Sequence, residues 1–288
     1  MKNSVKLGGL ELPNPLMLAS GTWGFGETLP RRVLSAVGAL VTKGLSLEPR
    51  AGNPPPRLSE TPCGLVNSIG LENPGLEVFR KHILPGLLTL GPPVIVNLFG
   101  EREEDFFRLA EALKETEIAG LEINISCPNV KKGGIAFAGD PEGVFRMVKG
   151  LRSLWGRFLG VKLSPVGPVE EVALAAEEAG AEALTCANTY PAMTVDLSRD
   201  PPGFHLGGLS GPAIKPLTLR LVYELSRRVR IPIIASGGIM SGRDALEYLS
   251  VGARAFQVGT ATLLEAEAPL KILSELKRLK DTRRPSIP

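Results

Sequence analysis

Short apolar runs ending in small or polar residues recur along the whole chain, and stretches of helical spacing separate them. The runs are PLMLAS from Pro15, ALVTKG from Ala39, PVIVNLFG from Pro93, GLEINISCPN from Gly120, LGVKLSP from Leu159, AEALTCANT from Ala181, IPIIASGG from Ile231 and ARAFQVGT from Ala253. A continuous apolar run this short, bounded by turn residues, predicts a strand buried on both faces. Between the runs, helices are predicted at Leu29–Val37, Leu76–Leu88, Glu103–Glu117, Pro141–Leu154, Val169–Ala179, Ala213–Arg228, Gly242–Ser250 and Ala266–Leu279. Start signals support several of them, such as Asp140 before Pro141 and the acidic turn at Glu170 and Glu171 after Pro168.

Eight buried strands alternating with helices select an α/β fold, a closed (β/α)8 barrel of the TIM type, rather than an open sheet. The 288 residues suit one such barrel, so residues 1–288 are expected to form a single catalytic domain. The opening segment VKLGGLELPN predicts a β-hairpin turning at Gly8 and Gly9, placed to plug the far end of the barrel. Two connections are unusually long and rich in Gly and Pro: Leu45–Pro74 after the second strand and Asn188–Pro212 after the sixth. Both leave strand C-termini, the face where barrel active sites lie, and so read as walls or lids of a site.

The polar residues at the strand ends are Ser20, Lys43, Asn97, Asn124, Cys127, Lys162, Asn188, Thr189 and Ser236. They converge on the mouth, and a purely structural barrel has no use for so many polar groups there, since burying one without a partner costs free energy. The last two strands end in SGG at Ser236–Gly238 and VGT at Val258–Thr260, which places a phosphate-bearing ligand on those backbone N–H groups. Tight turns alone could also require these glycines. Lys43 and Lys162 offer fixed positive charge for an anionic ring or a carboxylate, or else snorkel to water. Cys127, before Pro128 and the Gly-rich stretch VKKGGIAFAGD, is placed as base or nucleophile in a loop able to act as a lid. Cys63 and Cys186 read as small core residues, and the two histidines, His82 and His205, fall where neither suggests a thiol-protease pair.

Composition narrows the field. The net charge of +3 comes from 33 basic and 30 acidic residues spread along the chain, so no nucleic acid partner is expected. Three scattered cysteines give neither a disulfide framework nor a CxxC metal site; no metal is expected and a reducing cytoplasm is. The first residues lack a sustained apolar core with a cleavage site, and no stretch approaches the roughly 18 apolar residues of a spanning helix, so secretion and membrane insertion are not expected.

These motifs resemble dihydroorotate dehydrogenase from about Val5 to Thr260, through ASGTWGFG at Ala19, the Lys43–Gly44 pair, NPPPR at Asn53, NSIGLENPG at Asn67, NISCPN at Asn124, ANT at Ala187 and GGLSGPAIKP at Gly207. The resemblance implies FMN held by Ser20, Lys43, Gly44, Asn97, Asn124, Lys162, Ala187, Gly211, Gly237, Gly238, Gly259 and Thr260. It implies dihydroorotate or orotate contacted by Lys43, Asn67, Ser68, Ile69, Gly70, Leu71, Asn124, Asn188 and Thr189, with Cys127 as the general base. Cysteine at that position resembles the soluble class 1, and LSGPAIKP and NPPPR resemble its NAD-linked subclass, 1B. That subclass implies a homodimer passing electrons to a separate subunit that carries FAD and a 2Fe-2S cluster. Trp23 and Gly44 depart slightly from the usual pattern. A second resemblance is to the flavin barrel of dihydropyrimidine dehydrogenase, a much longer protein without NSIGLENPG; a barrel that only binds flavin would leave Cys127 without a task.

Overall fold

The structure, a computed structural model, describes residues 4–26, 28–125, 137–198 and 203–282. Strands β1 (Val5–Leu7) and β2 (Leu10–Leu12) pair antiparallel around Gly8 and Gly9, forming the expected hairpin. Eight parallel strands then close into a barrel. The first four are β3 (Leu16–Leu18), β4 (Ala39–Val41), β7 (Val94–Leu98) and β8 (Gly120–Asn124). The others are β9 (Phe158–Lys162), β10 (Ala183–Cys186), β13 (Ile233–Ser236) and β14 (Ala253–Val258). All eight apolar runs therefore supply one barrel strand each, and a (β/α)8 barrel with an N-terminal hairpin is the fold.

Side chains alternate along a strand, and in a barrel the alternation sorts them into an outer and an inner set. Leu16, Leu18, Val96, Leu121, Ile123, Val161 and Leu184 join the large core between barrel and helices. Met17, Ala39, Val41, Ile95, Phe158, Ala183, Ile234 and Ala255 form a separate apolar cluster, capped by Leu7 and Leu12 of the hairpin. Both hairpin leucines are fully buried, each contributing roughly 1.5–3 kcal/mol through removal from water. Two residues further along β4, β7, β10, β13 and β14, toward the mouth, this inner set becomes polar at Lys43, Asn97, Thr185, Ser236 and Gln257, and Glu122 of β8 joins them.

Helix boundaries follow the sequence where capping is explicit. Asp140 accepts the Gly143 N–H at 2.9 Å at the head of Pro141–Leu154, and Ser241 accepts that of Asp244 at 3.1 Å ahead of Gly242–Ser250. Elsewhere the expected helices are shorter or interrupted. Leu29–Val37 holds regular helix only at Arg31–Leu34, and Ala213–Arg228 opens with a 3-10 turn, Pro212–Ile214, before Lys215–Leu225. Within Leu76–Leu88 a π-helical turn spans Phe79–Ile83, immediately ahead of Pro85, whose missing N–H cannot serve the carbonyl four residues back.

The two long connections are not irregular loops. They contain β5 (Leu58–Thr61), β6 (Gly64–Asn67), β11 (Tyr190–Asp196) and β12 (Gly203–Ser210), which assemble into one antiparallel sheet in the order β11-β12-β6-β5. This sheet forms part of the wall of the barrel mouth, Leu58, Leu65, Asn67 and Ser210 lining the cavity there. Cys63 sits at the β5–β6 turn and is exposed, so its reading as a core residue is corrected; a thiol at a hairpin turn has no packing layer above it. Cys186 is fully buried, as expected, and burial pushes its thiol far above the ordinary range. Among the described residues no helix is long and apolar enough to cross a membrane, and no cluster of His, Cys, Asp and Glu could hold a metal ion.

Candidate active site

A cavity of about 240 Å³ opens at the C-terminal ends of the barrel strands. Of the residues named above, Ser20, Lys43, Gly44, Asn124, Lys162, Ala187, Gly211, Gly237, Gly238, Gly259 and Thr260 line it, together with Asn67, Ile69, Leu71, Asn188 and Thr189. Ser68 and Gly70 do not: the Ser68 hydroxyl and carbonyl accept from the Asn53 amide at 2.9 and 3.2 Å, and Gly70 packs against Asn53. These two shape the loop rather than face its lumen. Asn97 lies just beneath the lining, fully buried, and a Cβ on Gly44 would stand 3.1 Å from its Oδ1. Cys127 lies outside the described residues.

Lys162 is the most telling group. It comes up the inside of the barrel at the end of β9 with only 6% of its surface exposed. Among the described residues no hydrogen bond or ion pair engages its ammonium, although it lines the cavity. Its stem is packed away while the ammonium opens on the cavity, a fixed positive charge suited to something electron-rich. Lys43 stands differently, 3.5 Å from the Glu72 carboxylate, which also takes a 2.8 Å bond from Arg57. Lys43 holds the Glu72 carboxyl below the usual range against the opposing effect of desolvation, and Arg57 adds to the depression. Stabilisation from this cluster is therefore present above the ordinary glutamate pKa and fades only as the pH falls through the lowered value.

On the opposite side the backbone is tightly held. Gly238 adopts φ +64°, and a Cβ there would come within 2.8 Å of the Gly211 carbonyl and 2.7 Å of Lys215 Cβ. The fully buried Tyr248 donates to the Gly237 carbonyl at 2.7 Å, and burial pushes its phenol far above its ordinary range. Lys215 bonds Asp244 and, at 2.8 Å, Glu247. Burial alone would raise the Asp244 carboxyl, but hydrogen bonds from Lys215, Ser241 and the Met240 N–H outweigh it and leave it lowered. Thr260 donates to the Ser210 hydroxyl at 2.9 Å, tying the segment after β14 to the antiparallel sheet. The result is a glycine-lined turn held from behind, suited to receive phosphate oxygens on backbone N–H groups. We expect Gly238→Ala to cost about 1–3 kcal/mol and to weaken phosphate binding, read by thermal denaturation and flavin titration; unchanged stability would show that the turn relaxes freely.

Beneath the mouth lies a polar layer that motif reading missed. Glu122 of β8, 2% exposed, accepts from Asn97 Nδ2 at 2.8 Å, Thr185 Oγ1 at 2.6 Å and Gln257 Nε2 at 2.7 Å. Gln257 also lines the cavity. The signal was present as a charged residue inside the apolar run GLEIN and an amide inside ARAFQV. Two acceptors in this layer, Asn97 Oδ1 and Gln257 Oε1, are buried without a partner among the described residues.

A sequence profile described as dihydroorotate dehydrogenase matches residues 3–279. A Geobacter metallireducens protein named dihydroorotate dehydrogenase B (NAD(+)), catalytic subunit, is 49% identical over 280 residues, spanning 96% of this chain and 92% of the relative. Proteins of the same name from Thermoanaerobacter pseudethanolicus and Geotalea uraniireducens are 45% and 49% identical over 282 and 270 residues. They span 96% and 92% of this chain and 93% and 88% of their own lengths. Likeness of this extent covers the barrel, the hairpin and the mouth sheet together: the chain belongs to the dihydroorotate dehydrogenase family.

Proposed function

We propose that this protein oxidises dihydroorotate to orotate in pyrimidine biosynthesis, using FMN bound at the barrel mouth, with residues 1–288 acting as one catalytic domain. The observation that carries the reading is Lys162, a largely buried side chain that lines the cavity and makes no ion pair among the described residues. The rest of the site fits a flavin. Its isoalloxazine ring, which takes on negative charge when reduced, matches the Lys162 cation, and its phosphate matches the glycine turn at Gly237–Gly238 and Gly259–Thr260.

When bound, FMN supplies a two-electron acceptor for the hydride that leaves one ring carbon of dihydroorotate. The protein supplies the rest. Cys127, as thiolate, takes the proton from the adjacent carbon, and the electron pair of that C–H bond becomes the new C=C bond. Lys162 stabilises the negative charge arriving on the cofactor ring, a role for which a preorganised cation in a dry site is effective. Lys43, with Asn67, Ile69 and Leu71, and with Asn124, Asn188 and Thr189, positions the substrate carboxylate and imide, while Ser68 and Gly70 hold the loop that carries them. Ser20, Gly44, Asn97, Ala187 and Gly211 complete the cofactor site.

Relatives named as NAD(+)-linked catalytic subunits support a separate partner that delivers electrons to NAD; that this partner carries FAD and a 2Fe-2S cluster is what the sequence resemblance implies. A homodimer is supported by the outer face of the mouth sheet, where Met193, Val195, Phe204 and Leu206 pair across β11 and β12 while remaining 53%, 45%, 69% and 69% exposed. The cytoplasm is the proposed location, in keeping with the free thiols of Cys63 and Cys186. The purified protein should release FMN in a one-to-one ratio on denaturation and form orotate from dihydroorotate with an artificial acceptor. A different flavin, or none after reconstitution, would overturn the cofactor assignment.

A further inference from the structure

Lys43 lines the cavity, and the carboxylate that faces it does not: Glu72 is absent from the lining, with its Oε2 3.5 Å from the Lys43 ammonium. The same oxygen accepts from Arg57 Nη1 at 2.8 Å. Arg57, which closes the NPPPR motif, is itself fixed. Its Nε and Nη2 donate to the Asn53 and Ala51 carbonyls at 2.6 and 3.1 Å, and its own carbonyl accepts the Ser68 N–H at 2.8 Å. One carboxylate oxygen therefore serves two cations, and among the described residues no other acid lies within ion-pair distance of either. Lys43 first, and then Arg57, hold the Glu72 carboxyl below its usual range against desolvation, so it is ionised at neutral pH. The Lys43 and Arg57 side chains are only 19% and 27% exposed, which keeps water and salt from screening the group fully.

From this arrangement we infer that Arg57 and Glu72 determine specificity through Lys43: by sharing the Glu72 carboxylate, Arg57 keeps this wall of the cavity one positive charge in excess, which selects a ligand bearing a single carboxylate. The inference rests on the reading that Lys43 receives the carboxylate of dihydroorotate, and deepens it. Without Arg57, Lys43 and Glu72 would form a closed neutral pair, and an incoming carboxylate would have to compete with Glu72 for the ammonium. With Arg57 in place, the ligand carboxylate brings the group to two cations and two anions. Neither Arg57 nor Glu72 lines the cavity, so both act as positioning residues rather than as contacts. A unit charge about 7 Å from another in a half-solvated site changes affinity by about three- to tenfold, which sets the size of the effect.

The test measures the binding of orotate, the product that keeps the carboxylate, to FMN-loaded protein by titration calorimetry. Arg57→Met should weaken orotate by about three- to tenfold, because Glu72 then neutralises Lys43 alone. Glu72→Gln, which keeps the shape and removes the charge, should tighten orotate by a similar factor. The double variant Arg57→Met with Glu72→Gln restores the single excess charge and should return to within about twofold of the wild-type affinity. An Arg57 that merely held the Asn53 and Ala51 carbonyls would give no such recovery. Should Arg57→Met fail to fold, Glu72→Gln decides alone. Weaker orotate binding in folded Glu72→Gln, or a double variant that binds no better than Arg57→Met, would overturn the inference and leave the proposed oxidation of dihydroorotate standing. Failure of the wild-type protein to bind orotate would overturn that proposal itself, and this inference with it.

Discussion

Replacing Cys127 with alanine is expected to leave FMN bound and to slow its reduction by dihydroorotate by about 10²–10⁴-fold, the usual contribution of a positioned general base. Neither of the other cysteines can take its place. Cys186 is fully buried with its thiol pushed far upward, and Cys63 lies at the exposed β5–β6 turn. A free thiol titrates near about 8.5, and only the thiolate accepts a proton. The wild-type reduction rate should therefore climb with pH toward that region and level off above it, while the residual rate of Cys127→Ala stays flat. Stopped-flow traces across pH measure both. A wild-type rate retained by Cys127→Ala would remove Cys127 as the base.

Replacing Lys162 with methionine is the second large change. The substitution keeps most of the unbranched stem while deleting the ammonium that lines the cavity. Loss of a single preorganised charge partner in a site of this kind slows the chemical step by about 10²–10³-fold. Because the lost interaction favours the more negative, reduced cofactor, the two-electron potential of bound FMN should fall by roughly 60–90 mV. Rate and potential are measured separately, by stopped flow and by spectroelectrochemistry. A slow variant with an unshifted potential would mean that Lys162 positions groups without stabilising charge.

The barrel was legible because fully buried parallel strands read as continuous apolar runs, and all eight did so. The mouth sheet was not. Its strands are half-exposed, interrupted by Gly207 and Gly208 and by Pro191, and held by pairing between segments more than a hundred residues apart, such as Asn67 with Gly208. Single-sequence periodicity carries no information on such partners. Lys43 and Lys162 stood out because a cation ending an apolar run is conspicuous. Glu122 and Gln257 lay inside their runs, where the apolar neighbours concealed that alternate positions face the barrel interior. The exposed position of Cys63 followed from a hairpin that the sequence reading had taken as loop.

The central claim is that dihydroorotate hands its electrons to FMN at this site. The direct measurement is anaerobic mixing of the FMN-loaded protein with dihydroorotate, and in parallel with dihydrouracil, while the oxidised-flavin absorbance is followed. Rapid bleaching by dihydroorotate, with dihydrouracil inert for lack of the carboxylate that the proposed site binds through Lys43, is the predicted result. Bound flavin that stays oxidised with dihydroorotate, or that is bleached equally well by dihydrouracil, would contradict it.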